Sequence, residues 1–243
     1  MIFRAAALSD VGLRRRSNED SFLVAPKLGL YLVADGMGGH KAGQVASELA
    51  VEYALGAVGR THGSVASMTD RLAALVSAAN REIFARARSR PELRGMGTTL
   101  VAALTGEGCV ALAHVGDSRA YLIRGQGIRQ LTHDHSVVGD LVRRSEITEQ
   151  DARSHPHRHV LTRALGVRSD VEADFAELST CVGDTFVLCS DGLTGRVRDH
   201  EIGQIVLSAP SLDDACQRLI QTANERGGED NITVVIVRPD LSK

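Results

Sequence analysis

Acidic residues stand at the ends of several short, apolar, strand-like runs in this chain. Asp35-Gly36 follows residues 30–34, and a second pair, Asp191-Gly192, follows residues 186–189. Each aspartate would sit on a rigid strand, and the glycine beside it lets a bound ion approach the backbone carbonyl. This arrangement suits a hard cation that prefers oxygen ligands.

Three further acids occupy similar positions. Asp20 and Asp230 each stand just before a strand-like run, and Asp117 stands just after one. In an antiparallel sheet, residues that precede some strands and follow others can lie at one edge, because neighbouring strands run in opposite directions. The acids would then form one cluster, whose mutual repulsion requires cations.

Asp and Gly are also the ordinary residues of turns, so any single Asp-Gly pair is better explained as a turn. The ordered set of motifs is far more specific. It comprises Arg15-x-x-Asn18-Glu19-Asp20, Val33-Ala34-Asp35-Gly36-Met37-Gly38-Gly39-His40, Gly97-Thr98-Thr99, Val115-Gly116-Asp117-Ser118-Arg119-Ala120-Tyr121, Ser190-Asp191-Gly192-Leu193 and Asp230-Asn231-Ile232-Thr233. In this order, over residues 9–237, the chain closely resembles the PPM, or PP2C-type, family of metal-dependent protein serine/threonine phosphatases in its compact bacterial form.

The segments between these motifs alternate between two periodicities. Apolar residues recur at helical spacing in residues 45–58 and 70–88, whereas β-rich runs at 99–104, 109–114 and 119–123 favour an antiparallel meander. Two antiparallel sheets packed face to face, with helices outside, would bury both patterns. The family resemblance implies this α+β fold, an αββα sandwich.

Residues 136–168 are more polar and carry the helix-capping signature Thr148-x-x-Asp151. This segment is interpreted as a mobile flap with short helices. Beyond it, helices are predicted near residues 199–207 and 212–226, followed by a strand at 232–237.

The chain of 243 residues suits one catalytic domain, expected over residues 1–238 with a short free tail at 239–243. A formal charge of −2 and 3% aromatic residues offer neither a basic surface nor stacking platforms, so nucleic-acid binding is not favoured. No apolar run approaches the ~20 residues that a membrane span needs. Four widely spaced cysteines without a CxxC pair, and the absence of a secretory-type leader, favour a cytoplasmic location. A monomer is expected.

The resemblance implies a core site with two Mn²⁺ or Mg²⁺ ions. Asp35 would bridge the two ions, and the backbone carbonyl of Gly36 would bind one of them. Asp191 and Asp230 would bind the other. An all-oxygen ligand set favours these two metals over zinc.

Three more acids are assigned less direct roles by the resemblance. Glu19 and Asp20 would act mainly through metal-bound waters. Asp117, together with Asp191, matches the ligands of a third, weaker metal near the flap.

Arg15 lies five residues before Asp20, at the spacing of the family's phosphate-binding arginine. A guanidinium there can hold two phosphate oxygens at once. The acid that protonates the leaving group is left open. Animal relatives place a histidine at the position of Met37, so His40 could take this role or stabilise the loop, and a metal-bound water is the third alternative.

Two histidine clusters raise the alternative of a zinc site, His155-x-His157-x-His159 and His133-x-His135. Neither has an accompanying cysteine pair or HExxH spacing. Both fall in or beside the flap, where contact with substrate or local packing is favoured.

Other phosphatase classes fit poorly. None of the four cysteines begins a Cys-x5-Arg loop, and Gly116-Asp117 is not followed by the histidine of other dinuclear phosphatases. The family resemblance implies hydrolysis of phosphoserine and phosphothreonine by direct attack of metal-activated water, with phosphorylated proteins and a bacterial serine/threonine kinase as partners. The alternatives are a phosphatase of small phosphorylated metabolites and an inactive phosphopeptide-binding adaptor.

Overall fold

The structure is a computed structural model that describes residues 2–39, 41–60 and 66–240. Its strands are β1 (Ile2–Asp10), β2 (Asp20–Ala25), β3 (Leu30–Met37), β4 (Gly97–Thr98), β5 (Leu100–Gly106), β6 (Cys109–Val115), β7 (Arg119–Arg124), β8 (Gly127–Gln130), β9 (Asp174–Ser179), β10 (Thr185–Cys189) and β11 (Ile232–Asp240). Its helices are α1 (Lys41–Arg60), α2 (Met68–Ser89), α3 (Val137–Arg143), α4 (Glu149–Ser154), α5 (Asp191–Thr194), α6 (Asp199–Ser208) and α7 (Leu212–Glu225).

The strands form two antiparallel sheets that pack face to face. The first sheet has the order β1-β11-β10-β7-β8, and the second has the order β2-β3-β5-β6-β9, with β4 beside the end of β3. Helices α1 and α2 cover the second sheet, whereas α6 and α7 cover the first. The predicted αββα sandwich is confirmed. Among the described residues, no helix combines the length and the apolar character that a membrane span requires.

Strand β3 shows how the sequence fixes these layers. Leu30, Leu32 and Ala34 pack against the helices, whereas Tyr31 and Val33 pack between the two sheets. Successive side chains of a strand point to opposite faces, so a shift of one residue would reverse both sets. The position of the acid that follows this strand is therefore fixed by apolar packing.

The predicted meander is wrong at its third strand. β5 and β6 form an antiparallel hairpin in the second sheet, but β7 pairs with β10 and β8 in the first. The chain crosses between the sheets at Gly116, whose φ is +108° and where a Cβ would lie 2.6 Å from Thr99 Cγ2. Only glycine fits this crossing, and it places Asp117 where the two sheets meet.

The largest element that the sequence analysis missed is β1, which pairs with β11 along its full length. Alanines at positions 5–7 have weak strand propensity, and pairing with the apolar β11 overrides it. Pro239 and Asp240 pair with Phe3 and Ile2, so the tail predicted at 239–243 is wrong for these two residues. Residues 241–243 lie outside the described residues.

The segment interpreted as a flap contains the two short helices α3 and α4. Thr148 caps α4 in the predicted way, because its hydroxyl accepts the Asp151 N–H while the Asp151 carboxylate accepts the Thr148 N–H. The end of the segment returns to β4, where Thr98 and Leu165 exchange backbone hydrogen bonds.

Candidate active site

Five aspartates from different parts of the chain converge at one edge of the sandwich. Asp20 and Asp35 face each other in the β2–β3 pair. Asp191 follows β10 and Asp230 precedes β11, and these neighbouring strands are antiparallel. Asp117 lies in the crossing between β6 and β7. The structure therefore brings together the acids that the sequence placed at strand ends.

The environment of Asp35, Asp117 and Asp191 opposes their ionisation. Burial and then the charges of the other four aspartates raise the pKa of Asp35 well above its ordinary value. Burial, reinforced by Asp191, likewise raises the pKa of Asp117. The pKa of Asp191 is also raised, by burial and by repulsion from Asp230. Such a cluster becomes fully ionised only when cations compensate its charge.

Asp20 is the most enclosed member of the cluster, with 8% of its surface exposed. Burial raises its pKa to about 7, even though the hydroxyls of Thr233 and Ser190 both donate to Oδ2 at 2.7 Å. Its other oxygen, Oδ1, is buried without a hydrogen-bond partner. Buried polar atoms are normally satisfied, so this oxygen suits a water or a cation. Ser190 and Thr233 belong to two of the sequence motifs, in which neither residue was assigned a role.

Two threonines hold the backbone of Asp35. The Asp35 N–H donates to Thr99 Oγ1, and its carbonyl accepts from Thr98 Oγ1 and from the Thr99 N–H, each at 2.9 Å. These contacts explain the Gly97-Thr98-Thr99 motif. They fix the strand end on which the central carboxylate stands.

Gly36 has no room for a side chain. A Cβ there would lie 2.1 Å from the carbonyl oxygen of Gly43 and 2.6 Å from that of Glu19. The Gly36 N–H donates to the Glu19 carbonyl at 3.1 Å. At Gly43, a Cβ would lie 2.0 Å from Glu19 Oε2, so both glycines make space for the Glu19 segment.

Asn231 organises the loop that carries Arg15 and Glu19, a role that the sequence analysis missed. Its side chain accepts from the Glu19 N–H at 2.8 Å and donates to the carbonyls of Val11 and Ser17 at 2.9 and 3.0 Å. It is 5% exposed. Its neighbour Asp230 is thereby held next to the loop.

Arg15 lies at the mouth of the cluster. Its Nη2 contacts Asp230 Oδ2 at 2.7 Å, and half of its side chain is exposed. Asp35 and Glu19 also lie close enough to favour its charged form. The guanidinium is therefore placed to meet an anion that enters the cleft.

Most of the predicted site residues lie at this edge of the sandwich. Those at this edge are Arg15, Glu19, Asp20, Asp35, Gly36, Asp117, Asp191 and Asp230. His40 lies outside the described residues, and its role stays a prediction. Met37 packs against Gly97 and lies within van der Waals reach of its backbone.

The histidines of the two clusters lie in different environments. His133 is exposed, whereas His135 is buried against His114, with ring centroids 4.7 Å apart. His155 and His157 are near each other at the surface, and His159 lies close enough to Asp191 to offset part of the rise that burial causes in the pKa of that acid. The flap therefore presents a histidine to the acidic cluster.

A second group of possible ligands comprises His114, His135 and Asp174, whose ligand atoms lie within 4.8 Å of one another. His135 Nδ1 accepts a hydrogen bond from the Gly116 N–H, so the neutral ring carries its proton on Nε2. That nitrogen faces Asp174 Oδ2 at 3.2 Å and Arg163 Nη1 at 3.3 Å. Because no lone pair of His135 points into the group, we do not assign a metal to it: His135 contacts Asp174, whereas His114 packs against the His135 ring without a hydrogen bond of its own.

Comparison with known proteins decides the family. The sequence model described as protein phosphatase 2C matches residues 14–235. The chain belongs to the protein phosphatase 2C family. Its acidic edge, with Arg15 beside it, is the candidate active site of this phosphatase 2C.

Individual relatives agree with this assignment. The serine/threonine phosphatase stp of Listeria monocytogenes is 43% identical over 240 residues, which cover 97% of this chain and 95% of the relative. The crystal structure of the Mycobacterium tuberculosis serine/threonine phosphatase PstP/Ppp matches with a TM-score of 0.90 and 39% identity, covering 99% of this chain and 100% of the other.

A second solved structure is of the catalytic domain of PstP in complex with two manganese ions. It matches with a TM-score of 0.89 and 38% identity over 98% of both chains. These comparisons confirm the predicted family, the αββα fold and the class of enzyme, a serine/threonine phosphatase of the phosphatase 2C type.

Proposed function

We propose that this phosphatase 2C removes phosphate from phosphoserine and phosphothreonine in proteins, with two Mn²⁺ or Mg²⁺ ions bound at the acidic edge. The convergence of five aspartates from separate parts of the chain beside Arg15 carries the proposal. No single segment explains why these acids should be buried together.

The residues at this edge fit divalent ions. Asp35 would bridge two ions, Gly36 would offer its carbonyl to one, and Asp191 and Asp230 would hold the other. All of these donors are oxygens, as Mn²⁺ and Mg²⁺ prefer, and the unpartnered Oδ1 of Asp20 is a further acceptor. When bound, such ions neutralise phosphate charge and lower the pKa of a water that attacks phosphorus directly, without a phosphoenzyme.

Arg15 would bind the phosphate. Its planar guanidinium can donate two parallel hydrogen bonds to phosphate oxygens. Its present partner, Asp230, is one of the proposed metal ligands, so Arg15 would exchange Asp230 for phosphate in the loaded enzyme. The guanidinium of Arg15 would then bind the substrate phosphate instead of the Asp230 carboxylate.

Arg15→Ala is expected to raise the KM for a phosphothreonine peptide by about 10- to 100-fold, since a hydrogen bond to a charged group contributes about 1.5–3 kcal/mol. Arg15→Lys should recover a minor part, because an ammonium lacks the planar pair of donors. Steady-state kinetics measure both. Arg14→Ala and Arg16→Ala are the matched controls on exposed neighbours. A KM unchanged in Arg15→Ala would remove this residue from phosphate binding.

We assign Asp117, with Asp191, to a third and weaker ion near the flap. Asp117→Asn is expected to lower kcat by about 10-fold and to raise the Mn²⁺ concentration for half-maximal activity, whereas the core ligands stay intact. Mn²⁺ titrations of activity measure this. Wild-type Mn²⁺ dependence in Asp117→Asn would contradict the assignment.

Residues 136–168 would act as the flap that faces the substrate. His159 supports this role, because it lies close to Asp191. Phosphorylated proteins would be the substrates, and a serine/threonine kinase that makes them would be the functional partner. The four free cysteines fit a reducing compartment such as the cytoplasm, where the protein would act as a monomer.

Substrate choice separates this function from its alternatives. Purified protein with Mn²⁺ should hydrolyse a phosphothreonine peptide with a far higher kcat/KM than sugar phosphates. Preference for the sugar phosphates would indicate a metabolite phosphatase. Tight peptide binding without turnover would indicate an adaptor. In ¹⁸O-labelled water, the released phosphate should carry one solvent oxygen from a single displacement.

A further inference from the structure

The turn formed by Gly116 and Asp117 needs support from outside itself. Gly116 has no side chain, and its positive φ places its backbone directly against Thr99. Asp117 extends from this turn into a buried cluster of like charges that repels it, with Asp191 the acid that contributes most to the repulsion. Hydrogen bonds to the turn must therefore hold the carboxylate in place.

His135 supplies two such hydrogen bonds. Its backbone N–H donates to the Gly116 carbonyl at 2.7 Å, and its ring Nδ1 accepts the Gly116 N–H at 3.2 Å. The same residue thus satisfies both backbone groups of the glycine that precedes Asp117. His135 is 1% exposed, so water does not replace these bonds at low cost.

The opposite side of the ring is anchored as well. Nε2 faces Asp174 Oδ2 at 3.2 Å and Arg163 Nη1 at 3.3 Å, and the His114 ring packs against it. His114 is buried, which lowers its pKa to about 4 and keeps it neutral beside His135. The ring of His135 is therefore held in one orientation, with its lone pair directed at Gly116.

His135 also contacts the flap. Its carbonyl accepts the Thr162 N–H at 2.9 Å, and the adjacent Val137 N–H donates to the Val160 carbonyl at 2.9 Å. Ser136 and Leu161 form a β-bridge at the same place. One residue thus joins the turn that carries Asp117 to the end of the flap.

We infer that His135 is a positioning residue, which sets the Asp117 carboxylate for the third ion and couples it to the flap. This inference rests on the proposed function, because it takes Asp117 as a ligand. His135 touches neither substrate nor the ion in this arrangement. It acts through Gly116.

The test replaces His135 with side chains that keep a polar group at no more than one of the two ring-nitrogen positions. Asn at this position places Oδ1 where Nδ1 was, whereas Gln places its amide near Nε2 and leaves the Gly116 N–H unpaired. His135→Phe and His135→Gln are expected to raise the Mn²⁺ concentration for half-maximal activity by about 10-fold or more, the usual effect of losing a hydrogen bond that orients a metal ligand. His135→Asn should restore most of the wild-type value. His133→Asn, on the exposed neighbour, is the control.

A merely structural role would give a different result. In that case all three His135 variants would have a lower melting temperature, and the folded protein of each would keep the wild-type Mn²⁺ dependence of activity. That result would overturn the inference. If His135→Phe does not fold, the comparison of His135→Gln with His135→Asn still decides. Hydrogen exchange of the Thr162 amide should increase in parallel with the loss of Mn²⁺ affinity.

A double-mutant cycle separates this inference from the function beneath it. With Asp117→Asn already present, His135→Gln should have little further effect on Mn²⁺ dependence, because both act on one ligand. Additive effects would contradict the coupling. A wild-type enzyme without Mn²⁺-dependent activity would instead contradict the proposed function, and an effect of Asp117→Asn without one of His135→Gln would overturn the role of His135 alone.

Discussion

Asp35→Asn is expected to reduce phosphatase activity by at least about 1,000-fold, equivalent to ~4 kcal/mol of transition-state stabilisation, while the metal-free protein becomes more stable. Activity is lost because the amide is a poor bridging ligand. Stability rises because the buried Asp35 carboxylate is repelled by Asp20, Asp191 and Asp117, and a neutral side chain of the same shape removes this repulsion. A gain of about 1 kcal/mol would raise the melting temperature by roughly 2–4 °C.

Thermal unfolding after chelation and initial rates with Mn²⁺ measure the two effects on one preparation. Glu52→Gln, which neutralises an exposed acid in the middle of α1, should change neither. Lower stability of metal-free Asp35→Asn would show that the carboxylate is compensated within the chain. Retained activity would show that Asp35 is not a metal ligand.

Manganese is expected to stabilise the wild-type protein much more at about pH 7.5 than at about pH 5.5. The folded-state pKa of Asp20, at about 7, lies above its ordinary value, and the values of Asp35, Asp117 and Asp191 are raised too. Protonation of these acids therefore stabilises the fold fully below about pH 4, and this contribution is lost as pH rises toward neutrality. Cations compensate the charges that then appear, whereas protons compete with them at lower pH.

At 100 times its dissociation constant, Mn²⁺ should contribute about 2.7 kcal/mol, or roughly 5–10 °C in melting temperature near pH 7.5. Melting curves with Mn²⁺ and after chelation, at both pH values, measure this difference. Asp191→Asn is the control. It lacks a proposed metal ligand, so any pH dependence that remains in this variant comes from other titrating groups. Equal stabilisation of wild type and Asp191→Asn at both pH values would argue against metal binding at this edge.

The acidic edge could be predicted from sequence because each acid stands next to the strand-like run that positions it. Asp35 follows an apolar run directly, Asp191 follows one after a single serine, and both runs are typical of buried strands, whose ends an antiparallel order brings together. In the structure, Asp20 lies directly opposite Asp35 in the β2–β3 pair, as this reasoning requires. The ordered motifs added the family, which comparison confirms.

The remaining features depend on contacts between distant segments. The strand β1 is alanine-rich and becomes a strand because β11 pairs with it. The transfer of β7 to the other sheet depends on the crossing at Gly116, which resembles an ordinary turn in sequence. Similarly, no spacing rule connects His135 with His114, although their rings are in contact. Periodicity finds which residues are buried, but not which sheet receives them.

The most direct test measures phosphate release from a phosphothreonine peptide by purified protein after chelation, with Mn²⁺ then added back. Asp191→Asn is assayed in parallel at matched folded concentration. We expect turnover that is absent after chelation, returns with Mn²⁺ and is lost in Asp191→Asn. Metal-independent turnover, or full Mn²⁺-dependent activity in Asp191→Asn, would contradict the central claim that these converging aspartates hold the catalytic ions.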